Sequence, residues 1–64
     1  MSAVEALLRE AYDYTGKAQS KMEEAMLYPL TTDTVNALSV IHKSAVMVRA
    51  DLLILIPKVR SEEG

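Results

Sequence analysis

Residues 38–59 read LSVIHKSAVMVRADLLILIPKV, and this stretch decides the fold. Apolar residues recur within it at alternating spacings of three and four, which is the pattern of an amphipathic helix with a coiled-coil seam. The positions are Leu38, Ile41, Ala45, Val48, Leu52, Leu55 and Val59. We therefore predict one long helix here, with this stripe packed against a second helix.

The first half of the chain predicts that second helix. Ser2 and Glu5 have the spacing of a capping box, and Pro29 ends the helical pattern. Its inward stripe is Val4, Leu8, Ala11, Thr15, Ala18, Met22 and Ala25. A short connection follows, in which Thr31 or Thr32 caps the next helix. Two long helices joined by so few residues predict an antiparallel hairpin.

The predicted fold is therefore all-α, with helices over about residues 3–28 and 33–56. Pro57 ends or kinks the second helix, because proline lacks the N–H that the helix needs. We expect residues 1–60 to form a single helical-hairpin domain and residues 61–64 a flexible C-terminal tail.

The second helix has more apolar faces than one neighbouring helix can cover. At about 100° per residue, Val40, Met47 and Ile54 lie nearly opposite the main stripe, and Val35, Val46 and Leu53 form a third line. A helix that is apolar nearly all round is normally buried. We therefore expect two hairpins to dimerise into a four-helix bundle, or a helix of another protein to cover the surface. The predicted protein-interface residues are Val40, Val46, Met47, Leu53 and Ile54. The alternative is a monomeric hairpin that tolerates scattered exposed apolar residues.

Composition narrows the classes of function. The chain has 64 residues, a net charge of −2, no cysteine and one histidine, which argues against disulfides and against thiolate or histidine metal sites. It has no basic cluster of the kind that binds nucleic acid. The longest apolar run, residues 52–56, is far shorter than the ~20 residues of a membrane span. No signal peptide is visible, so we expect a cytoplasmic protein.

No pattern of catalytic residues is present. His42 is the only conventional general base, and no serine lies in a nucleophile elbow. Glu23 and Glu24 are adjacent, so they point to different faces of a helix. No glycine-rich phosphate loop occurs, and the Glu-x-x-His spacing of bundle metal sites is missing. We expect no enzymatic activity, no cofactor, no metal and no small-molecule substrate.

The predicted function is a non-enzymatic protein–protein interaction module, a small helical adaptor or chaperone that acts through an apolar face of its second helix. The alternative is a nucleic-acid-binding regulator built as a hairpin dimer, against which the acidic balance counts. In length and helix layout the chain resembles the small hairpin chaperones of bacterial secretion systems and the dimeric hairpin RNA-binding proteins of plasmids. No motif carries that resemblance, so it assigns no family.

Overall fold

The computed structural model of the chain describes residues 3–63, with side chains to residue 62. Helix α1 spans Ala3–Ala25 and helix α2 spans Thr32–Glu63, and no strand occurs in this range. Glu5, near the start of α1, contacts Arg60 near the end of α2, so the helices run antiparallel. The predicted all-α helical hairpin is confirmed. Its radius of gyration is 14.9 Å, whereas a compact domain of this length has about 11 Å. The hairpin is a rod, 49 Å long and 14 Å by 11 Å across.

The connection between the helices differs in detail from the prediction. Helix α1 ends at Ala25 rather than at the predicted residue 28, because a tighter turn follows it. The Leu27 amide donates to the Glu24 carbonyl at 3.1 Å, and such i to i−3 bonds close a last turn. Thr31 caps α2, since its hydroxyl accepts the Thr34 amide at 3.2 Å. The capping box predicted at Ser2 lies outside the described residues.

The predicted end of the second helix at residue 56 is wrong, because α2 continues through Pro57 to Glu63. Pro57 cannot donate a hydrogen bond to the Leu53 carbonyl, which weakens the helix at this point. The turn beyond it is held by α1, since Arg60 Nη2 donates to Glu5 Oε2 at 2.8 Å and Val59 is half-buried. Residues 61–63 of the predicted tail thus continue α2. Its flexibility stays a prediction, and Gly64 lies outside the described residues.

The two helices meet along a seam, and the sequence pattern predicted only some of the residues in it. On α2 the buried or half-buried seam positions are Leu38, His42, Ala45, Arg49, Leu52, Ile56 and Val59. On the α1 side they are Glu5, Leu8, Tyr12, Thr15, Gln19, Met22 and Met26. Ile41, Val48 and Leu55 were predicted to face α1, but all three are exposed. On α1, Val4 and Ala18 were predicted to face α2, but both are exposed as well. In both helices the next residues along the chain take these places in the seam.

The interior of the hairpin is thin. Among the described residues, Ile56, 8% exposed, is the one buried hydrophobic side chain, and Glu5, 4% exposed, is the one buried charged side chain. The remaining seam residues are half-buried. The hairpin alone therefore removes little apolar surface from water.

Candidate protein-interaction surface

Glu5 anchors the open end of the seam. Its Oε2 accepts hydrogen bonds from Arg60 Nε at 3.1 Å and Nη2 at 2.8 Å, and from Arg9 Nε at 3.1 Å. Both bonds from Arg60 are charge-assisted, and they end on the same carboxylate oxygen as the bond from Arg9. The hydrogen bond from Arg60 holds the pKa of Glu5 below its usual range, against the opposing effect of burial. Glu5 is therefore ionised at neutral pH.

His42 occupies the seam near the closed end. Its Nε2 lies 2.9 Å from Glu23 Oε2, and the same oxygen accepts a hydrogen bond from Gln19 Nε2 at 3.2 Å. The hydrogen bond with His42 lowers the pKa of Glu23. His42 thus has an acidic partner on the facing helix, and its ring is three-quarters covered.

Arg49 fills the middle of the seam. Its guanidinium carbon lies 4.0 Å from the centroid of the Tyr12 ring, and its Nε donates to the Tyr12 carbonyl at 3.4 Å. Gly16 makes room for this arrangement, because a Cβ at that position would lie 3.0 Å from Arg49 Nη2. The cation–π contact explains how an arginine sits where an apolar residue was predicted.

Gly16→Ala is expected to stabilise the hairpin by less than the roughly 1 kcal/mol that alanine usually gains over glycine inside a helix. The new methyl group pushes the Arg49 guanidinium away from Tyr12, and such a contact contributes about 0.5–1 kcal/mol. In an Arg49→Ala background the full gain should return. Denaturant unfolding of the four proteins in this cycle measures the difference. Equal gains in both backgrounds would show that Arg49 does not occupy the space above Gly16.

The polar seam forces apolar side chains outward. Val40, Val46, Met47, Leu53 and Ile54, the predicted interface residues, are all exposed on the hairpin. They lie on two sides of α2. Val40, Met47 and Ile54, here called the outer row, point away from α1, whereas Val46 and Leu53 lie on one flank of the helix.

Sequence analysis missed a further part of this surface. Ile41, Val48 and Leu55 lie on the other flank of α2, and each is exposed. The signal was present in the sequence, because each of the three is followed by a residue that continues the same alternating spacing. Histidine and arginine occupy two positions of that second pattern, so hydrophobicity alone favours the first pattern.

The opposite flank of the hairpin holds a cleft of about 460 Å³ between α1 and α2. Arg9 and Arg60 line it, together with Asp13 and Leu53. Both arginines donate to Glu5, so their charge is already partly balanced. A second cleft of about 520 Å³ lies beside it, lined by Lys17, Lys21 and Arg49 together with Asp13.

The His, Asp and Glu side chains of residues 3–63 form no cluster of three or more that could hold a metal ion. Neither α1 nor α2 has an apolar stretch long enough to span a membrane. No protein-family model, curated protein or solved structure matches the chain.

Proposed function

We propose that the chain is a non-enzymatic protein–protein interaction module, a small helical adaptor or chaperone that presents the apolar surface of α2 to other helices. One observation carries this proposal. Eight large apolar side chains of α2 are between 41% and 71% exposed, while histidine and arginine occupy the inside of the hairpin. The eight are Val40, Ile41, Val46, Met47, Val48, Leu53, Ile54 and Leu55.

The exposed surface is large enough to drive association. Burying one such side chain completely contributes about 1.5–3 kcal/mol, so eight that are half-exposed hold on the order of 6–12 kcal/mol. Association costs an estimated 4–15 kcal/mol in lost freedom of motion. A single partner helix gains only part of the first quantity, because the eight side chains lie on three sides of α2, so its binding is expected to be weak and reversible. The rows run along the helix at intervals of seven residues, so a second helix fits them better than an irregular loop does.

A double substitution on the outer row tests the proposal. Met47→Asp with Ile54→Asp removes two exposed apolar side chains, worth about 2 kcal/mol together or about 30-fold in an association constant. We expect a lower average molar mass in sedimentation equilibrium at high protein concentration, and weaker fluorescence of the apolar-surface dye ANS. Far-UV circular dichroism should show that both helices persist.

The matched control is Asn36→Asp with Ala50→Asp, which adds the same two charges at exposed positions of α2. This control should behave like the parent protein. The proposal fails if Met47→Asp with Ile54→Asp matches the parent in both molar mass and dye fluorescence. It also fails if the parent is monomeric at every concentration and binds no dye.

A further inference from the structure

We infer that one flank of the hairpin binds a second copy of the chain, with α1 of each copy packed against α2 of the other. This inference rests on the proposed function and names the partner for one part of the surface. The flank concerned, here called the alanine flank, consists of one row from each helix. The rows are Ala11, Ala18 and Ala25 on α1, of which Ala18 is exposed and the other two are half-buried, and the exposed residues Ile41, Val48 and Leu55 on α2.

The two rows lie on the same side of the hairpin. Each row residue directly precedes a seam residue. On each helix the row is therefore rotated from the seam by about 100° about the helix axis, in the same sense relative to the chain direction. Because the helices are antiparallel, equal rotation about each axis brings the rows to one flank. The contacts of Glu5 with Arg60 and of Glu23 with His42 fix the register. The residues that lie level are Ala25 with Ile41, Ala18 with Val48 and Ala11 with Leu55.

The alanine flank is complementary to itself. One row is small and the other is large and branched, at the same three levels. A two-fold axis parallel to the helices places the branched row of each copy over the alanine row of the other. Every layer then contains two alanines and two branched residues, and every neighbouring pair of helices is antiparallel. Stacking like rows instead would bring alanine against alanine and require unequal spacing of the helix axes, which normally lie 8–10 Å apart.

The size and charge of the flank favour a second hairpin over a single helix. The paired parts of the helices, residues 5–26 and 38–60, are about 33 Å long and the hairpin is 14 Å wide, so covering one flank removes on the order of 450 Å² per chain. The total of about 900 Å² suits a weak, reversible dimer, and one lone helix would cover only part of the width. Neither row carries an ionisable side chain; Lys21, Asp51 and Lys58, which also precede seam residues, lie at the outer edge of this flank, whereas Arg9, Asp13 and Arg60 line the cleft on the opposite flank.

Disulfide trapping tests this arrangement, because the chain has no cysteine of its own. Single variants Ala18→Cys and Val48→Cys are mixed, allowed to exchange and oxidised, and the linked species are separated by mass. We expect the mixed disulfide to exceed its random share, because Ala18 of one copy faces Val48 of the other. Disulfides that form mainly between two Ala18→Cys chains would overturn the arrangement.

A second pair of variants keeps the inference separate from the proposed function. Val48→Asp should weaken dimerisation by about 100-fold or more, since each dimer would bury two unpaired carboxylates. Leu53→Asp, on the opposite flank and similarly exposed, should leave the dimer intact. Met47→Asp with Ile54→Asp should leave this dimer intact and remove only the larger assemblies that form through the outer row, because that row stays outside the bundle. The reverse order of effects, or a parent protein that never dimerises, overturns the inference. The proposed function would then still be tested by comparing Met47→Asp with Ile54→Asp against its matched control.

Discussion

Pro57→Ala should raise the free energy of unfolding by up to about 3 kcal/mol, the amount by which proline disfavours a helix interior relative to alanine. Helix α2 runs continuously through this position, and alanine restores the hydrogen bond to the Leu53 carbonyl. Pro57 is exposed, so its removal costs little packing. Denaturant unfolding followed by far-UV circular dichroism measures the gain, with all variants at one protein concentration because association adds to apparent stability.

Pro29→Ala is the matched control, since Pro29 lies in the connection between the helices. There proline restricts the unfolded chain, so alanine should cost about 0.4–1 kcal/mol rather than stabilise. If Pro57→Ala produced no gain, the turn that includes Arg60 would not unfold together with the rest of the hairpin.

Ile56→Ala should lower the free energy of unfolding by about 2–3 kcal/mol, the lower part of the range for large-to-small changes in protein cores. Ile56 is the one buried hydrophobic side chain among the described residues, so its loss opens the seam at the point where apolar packing is best. The thin interior keeps the expected cost below the top of that range. Unfolding at low protein concentration, where association is weakest, gives the value for the hairpin itself.

Ile54→Ala removes the same atoms from the same helix two residues earlier. Ile54 is 71% exposed, so its removal should change stability by no more than about 0.5 kcal/mol in the isolated hairpin. Equal losses for the two variants at low concentration would contradict the position of the seam. The comparison needs no structural assumption beyond which of the two isoleucines faces α1.

The helical hairpin could be predicted from the sequence, but the orientation of α2 about its own axis could not. Two alternating patterns share Leu38, Ala45, Leu52 and Val59, and differ in whether Val48 or Arg49 faces α1. Hydrophobicity favours the valine. The choice depends instead on a partner 37 residues earlier, because Tyr12 supplies both a ring and a carbonyl for Arg49. Such a distant contact leaves no trace in the periodicity of a single helix.

Contacts between residues distant in sequence also explain the other differences between the prediction and the structure. Pro57 is a reliable signal of a helix end only when nothing beyond it is held in place, and here Glu5 holds Arg60. The exposure of the outer row does not depend on how α2 is rotated about its axis, because Val40, Met47 and Ile54 point away from α1 in either orientation. Their exposure could therefore be predicted, whereas that of Ile41, Val48 and Leu55 could not.

The charged contacts of the seam also determine how the two helices are aligned lengthwise. Apolar layers repeat every seven residues and would tolerate a slip by one repeat. A slip of α2 away from the connection would bring Arg49 level with Arg9, setting two positive charges side by side, and a slip in either direction would carry Arg60 away from Glu5. The hairpin thus has one favoured alignment. Each exposed apolar row therefore has a fixed position along the length of the hairpin when a partner binds.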